Sequence, residues 1–145
     1  MEKRLNMAEL QPDAYQAMIG LETYIQSSGL SKSHINLIKM RASQINGCAY
    51  CLNMHSKESL KSGETQQRLF TLSAWRETNL FTEEEKALLE LTEEITVIHQ
   101  QGVSDVTYKK AIDSFGENYV ALLIMAIVTI NGWNRIAVST HLQIS

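Results

Sequence analysis

A chain of 145 residues with a single proline, at position 12, contains almost nothing that would stop a helix. Proline in a helix interior costs about 3 kcal/mol, more than any other residue. Its scarcity, beside runs rich in Ala, Leu, Glu, Met and Lys, predicts an all-α chain. Pro12 itself suits the first turn of a helix, where the missing N–H is no loss. From there apolar residues recur at steps of three and four. Tyr15, Met18, Ile19 and Ile25 make one face, up to a stop at Ser27-Ser28-Gly29. Ile35, Ile38, Ala42 and Ile45 make the next, and Asn46-Gly47 ends or interrupts that helix.

A third helix is expected from about Cys48 to Lys61, with Gly63 as its C-cap. A fourth covers about Thr65 to Glu77, including Leu69, Leu72 and Trp75. Thr82-Glu83-Glu84-Glu85 reads as a capping box opening a fifth helix to about His99, which buries Leu88, Leu91, Ile95 and Ile98. A short sixth helix starts at Ser104 or Asp105 and ends near Phe115-Gly116. The seventh, from Glu117 to about Val138, is apolar almost without a break from Tyr119 to Ile130. That run is shorter than the ~18–20 residues of a membrane span. It fits a central core helix, or one that also feeds a subunit interface. The expectation is one domain over residues 1–145, all-α, with six to seven helices.

Charge narrows the function. Thirteen basic residues against 16 acidic give a net charge of -3, with no basic block, so nothing recommends nucleic-acid binding. The opening Met-Glu-Lys-Arg-Leu-Asn-Met is charged but leads into no apolar signal run, and a cytoplasmic location is expected. In that compartment a Cys-x-x-Cys pair is catalytic or metal-binding rather than a permanent staple.

Both cysteines fall in Asn46-Gly-Cys-Ala-Tyr-Cys-Leu-Asn-Met-His55. On a helix Cys48 and Cys51 are i and i+3, and Cys51 and His55 are i and i+4, so all three share a face. If Asn46-Gly47 marks the helix start, free amides near Cys48 stabilise a thiolate there. His55 can take the proton of Cys51. The set supplies a nucleophile, a resolving thiol and a base, which is the equipment of dithiol redox chemistry. Cys48 is the expected nucleophile and Cys51 the resolver. Zinc is the rival reading: Cys48, Cys51 and His55 are three ligands, and His34, His99 or His141 a possible fourth. Structural zinc sites, however, usually draw on two short motifs, and this chain has one.

The stretch Arg41 to His55, with Gly63-Glu64-Thr65, Leu72-Ser-Ala-Trp-Arg-Glu77 and Ile130-Asn-Gly-Trp-Asn-Arg135, resembles the alkylhydroperoxidase D-like, or carboxymuconolactone decarboxylase, family over about residues 30 to 140. The resemblance implies an all-helical fold and homo-oligomers, trimers or hexamers. It also implies cofactor-free reduction of a small hydroperoxide by the dithiol, which an external thiol or dithiol then recycles. Cys48 and Cys51 match the family's redox pair and His55 its relay histidine. Tyr50 stands where some members carry histidine. Asn36 replaces the relay glutamate, and an amide cannot accept a proton as a carboxylate does. It either holds a water, orients His55, or is a polar residue on the solvent side of its helix. Glu22, Glu58, Glu64 and Glu77 are the candidate substitutes. Trp133, Asn134 and Arg135 line the pocket or its subunit boundary, or else end the core helix with Trp133 packed inside. Arg41 and Arg76 support the site or carry surface charge. The alternatives to a peroxidase are a non-catalytic redox sensor and a decarboxylase-like enzyme acting on a small organic acid.

Overall fold

The computed structural model describes all of residues 1–145, and every regular element in it is helical. The chain opens with a single turn, α1 (Met7–Leu10), capped by the Asn6 side chain. Pro12 then starts α2 (Pro12–Ser27). Next come α3 (Lys32–Asn46) and α4 (Ala49–Lys61), followed by α5 (Gln66–Thr71), which tightens into a 3-10 segment over Leu72–Glu77. After a short connection follow α6 (Glu83–Thr96), α7 (Ile98–Gln101), α8 (Asp105–Phe115) and α9 (Glu117–Thr140).

Nine α-helices stand where six to seven were expected, and the excess has local causes. The turn α1 precedes Pro12. The expected fourth helix divides near Leu72, and Ala74 (φ -117°, ψ 30°) leaves helical geometry. The expected fifth helix breaks at Val97 (φ -103°, ψ 39°), so Ile98 is 58% exposed rather than buried. The expected capping box is present. Thr82 Oγ1 accepts the Glu85 N–H, and Glu85 accepts the Thr82 N–H.

The core lies where α3, α6 and α9 meet, with α8 closing it on one side and α2 lying along α9. Leu37, Ile38, Leu72, Leu88, Leu123, Ile127 and Ile130 are fully buried there. Each such side chain contributes roughly 1.5–3 kcal/mol relative to exposure. By length and composition α9 could cross a membrane, but its inward face is the middle of this core. Met125, Val128 and Val138 remain on its exposed face.

Charged residues are also drawn in. Glu93 Oε1 accepts from Arg41 Nε (2.8 Å) and Trp75 Nε1 (2.7 Å), and its Oε2 accepts from Arg76 Nη1 (2.7 Å). Arg68 donates to Glu64 and Glu85 at 2.8 Å each and stacks 4.5 Å over Phe81. Arg41, Arg76 and Glu64 therefore serve as packing braces on this side of the molecule.

Candidate active site

The junction between α3 and α4 is two residues long, and its chemistry follows from that. Gly47 adopts the left-handed conformation (φ 64°) that glycine takes most cheaply. Its N–H reaches Gln44 O (3.3 Å), and the next N–H, of Cys48, reaches Ser43 O (3.0 Å). This pair of bonds is a Schellman ending for α3. The same Cys48 is the N-cap of α4, its Sγ accepting the Cys51 N–H at 3.3 Å. Cys48 and Cys51 are joined as a disulfide with Cα atoms 5.3 Å apart.

The two cysteines line different recesses. Cys51 lines a cavity of about 290 Å³ together with His55, Glu22, Lys39, Tyr50 and Trp133. Cys48 lines an adjoining recess of about 340 Å³, which shares Tyr50, Ala137 and Leu142 with the chamber and adds Val138 and His141. Exposure does not separate the two thiols, because both cysteines are 1% exposed. Proximity to the imidazole's chamber distinguishes Cys51.

His55 is buried at 4% exposure, and its Nδ1 lies 2.9 Å from Glu58 Oε2. Burial pushes its pKa below the usual imidazole range, Lys39 adds to that, and Glu58 and Glu22 only partly offset it. The ring is therefore neutral at pH 7. With the Nδ1 proton donated to Glu58, Nε2 is left as a proton acceptor.

Asn36 is 9% exposed, and its side chain makes no hydrogen bond to His55 or to any other protein group, so it does not orient the imidazole. It lines a polar recess of about 450 Å³ next to the chamber, sharing Glu22, Lys39 and Glu58 as walls. The orientation of His55 falls to Glu58, one turn along the same helix.

Glu22 reaches in from α2. Its Oε1 is paired with Lys39 Nζ and accepts from Gln26 Nε2 (3.1 Å), while Oε2 is buried without a partner. Burial pushes this carboxyl up, but the Lys39 bond and charge outweigh burial and hold it below the ordinary carboxylate range. Lys39 went unremarked in the sequence. Its sign was a charge four residues after Ile35 and three before Ala42, within the apolar stripe of α3.

The C-terminal trio separates. Trp133 lines the chamber, edge-on to Tyr15 with ring centroids 5.4 Å apart. Asn134 is fully buried outside it, donating to Ser43 Oγ (3.0 Å) and accepting from Asn46 Nδ2 (2.9 Å), which ties α9 to the end of α3. Arg135 is exposed and bonds back to Asn131. His34 is engaged with Tyr119 and His141 with Glu2 O, and no group of three or more His, Cys, Asp or Glu side chains is arranged to hold a metal ion.

Fold and site together define a helical protein whose Cys48–Cys51 pair sits at a helix–helix junction under a long core helix. The chain belongs to the carboxymuconolactone decarboxylase family, whose sequence pattern matches residues 12–94. It is 39% identical to the uncharacterized protein YdfG of Bacillus subtilis, over 96% of this chain and 95% of that one. A crystal structure from Agrobacterium tumefaciens, of a protein of unknown function described as a candidate AhpD antioxidant-defence protein, superposes with a TM-score of 0.97. That chain is 42% identical, with 99% of each chain covered. The debrominase Bmp8 shares the fold at 18% identity and a TM-score of 0.83, over 94% of this chain and 74% of that one.

Proposed function

We propose that the chain is a thiol-dependent hydroperoxide reductase in which Cys51 attacks and Cys48 resolves. One observation carries this reading: Cys51 and the neutral, Glu58-held His55 line the same chamber, whereas Cys48 lines only the adjoining recess. In the reduced chain His55 takes the Cys51 thiol proton. The thiolate attacks the terminal peroxide oxygen, an S–O bond forms as O–O breaks, and an alcohol leaves with a proton. Cys48 then displaces water from the Cys51 sulfenic acid, closing the disulfide. An external thiol or dithiol returns the pair to the reduced state. The N-cap position of Cys48 suits the resolving role, because it holds that sulfur beside Cys51.

Single-turnover mixing of the reduced chain with an organic hydroperoxide tests this. Cys48→Ser should still consume one equivalent and accumulate a dimedone-reactive sulfenic acid at Cys51. Cys51→Ser should consume none. Turnover by Cys51→Ser alone would return the attack to Cys48, and an unreactive native chain would overturn the peroxidase reading.

A further inference from the structure

Among all buried side-chain oxygens and nitrogens in the chain, Glu22 Oε2 alone has no hydrogen-bond partner. Native proteins rarely leave such an atom unsatisfied, and a ligand is one of the few things that explains it. The atom belongs to a residue that walls the Cys51–His55 chamber. Beside it Lys39, 6% exposed, pairs only with Glu22 Oε1. An ammonium carries three N–H donors, so two remain uncommitted. An unfilled acceptor and unfilled donors thus stand together, on α2 and α3, outside the Cys-x-x-Cys helix.

A hydroperoxide group needs that combination. Its terminal oxygen donates one hydrogen bond, and its inner oxygen becomes an alkoxide as the O–O bond breaks. Most of the chamber's other walls are apolar, with Ile19, Met54, Trp133 and Ile136 among them, which suits an organic body better than hydrogen peroxide.

Resting on the peroxidase reading above, we propose that Glu22 and Lys39 bind the peroxide group of an alkyl or aryl hydroperoxide, Glu22 Oε2 accepting its O–H and Lys39 Nζ donating to the departing oxygen. In the step itself the Cys51 thiolate forms the S–O bond and the O–O electron pair goes to the inner oxygen. That oxygen takes a proton from Lys39, and Lys39 recovers one from the His55 imidazolium, which holds the former thiol proton. Thiol and hydroperoxide become sulfenic acid and alcohol with no further reactant. The dyad thereby supplies the proton-handling that an amide at Asn36 cannot.

The test compares two reagents on Cys51 in a Cys48→Ser background: cumene hydroperoxide, which needs the dyad, and iodoacetamide, which does not. Glu22→Gln should slow the peroxide reaction by roughly 10²-fold, the usual scale for losing a fixed polar group at the reacting atoms. Alkylation should stay within about twofold. Glu22→Asp should recover part of the loss. Glu22→Gln/Lys39→Met, which leaves no unpaired buried charge, keeps the comparison available if the single variant folds poorly, and should show the same selective loss. Equal slowing of both reagents, or an unchanged peroxide rate, would overturn the dyad while leaving the peroxidase reading standing. A parent chain inert to hydroperoxide would reject both.

Discussion

Two groups of buried charge are built into this bundle, and they are satisfied to different degrees. Around Glu93 and Arg68 the acceptors are filled. Both Glu93 oxygens are taken by Arg41, Trp75 and Arg76, and Arg68 is clamped by Glu64 and Glu85. Around Glu22, Lys39 and His55 the bonding is incomplete, with an empty acceptor, spare ammonium donors and a neutral imidazole. Burial is shared, so burial does not mark the site. Incomplete pairing does. The first group holds helices together, and the second leaves hydrogen-bonding capacity unused.

The largest effect should come from the filled group. Glu93→Ala strips partners from two guanidiniums and an indole and should cost about 3 kcal/mol in urea unfolding. In the protein that remains folded, the peroxide rate should be unchanged. Thr82→Ala should cost about 1 kcal/mol, because it removes one half of the capping box that positions Glu85 for Arg68. Glu22→Gln/Lys39→Met should behave in the opposite way. Exchanging a buried ion pair for less polar groups is often neutral or stabilising, so unfolding should move by no more than about 1 kcal/mol while peroxide reactivity collapses. A large stability loss in that double variant would erase the distinction between the groups.

Acid should separate them on the pH axis. His55 and His34 both have pKa values lowered by burial, so the unfolded chain binds more protons than the native one below about 6.5. Stability should therefore begin to fall as pH drops through that value. Partial burial pushes Glu93, Glu22 and Glu85 up, but their hydrogen bonds and cationic partners hold them below the ordinary carboxylate range. Their contribution is present above about 4.3 and is lost only under stronger acid. Thermal melts across pH should show two descending steps, and His55→Gln should shrink the first without moving the second. A single step near the carboxylate range would contradict this assignment.

Local chemistry was readable before any coordinates. Pro12, the Thr82 box and Asn46-Gly47 act through neighbours within a turn, and the Cys48, Cys51 and His55 set is likewise a matter of spacing along one helix. What spacing could not show depends on which helix crosses which. Glu22 reaches the chamber because α2 lies along α9 and its carboxylate meets Lys39 of α3, contacts that no periodicity encodes. Asn36 drew attention through the family resemblance, as the replacement of the relay glutamate, yet Glu58 holds the imidazole. The break at Val97 carries no glycine or proline to announce it. Asn134, flagged with its neighbours for the pocket, is instead a tie between α9 and α3.

Cys48 ends one helix and caps the next, with its sulfur on the Cys51 amide. A thiolate is a stronger acceptor than a thiol, so loss of the Cys48 proton as it resolves the Cys51 sulfenic acid and the capping of α4 draw on the same bond. By thermodynamic reciprocity, whatever α4 does to favour a Cys48 thiolate is returned as a firmer first turn of α4. The opening of the helix thus doubles as a gauge of the proton on the resolving sulfur, and in the reduced chain amide protection at Cys51 should rise when Cys48 is deprotonated.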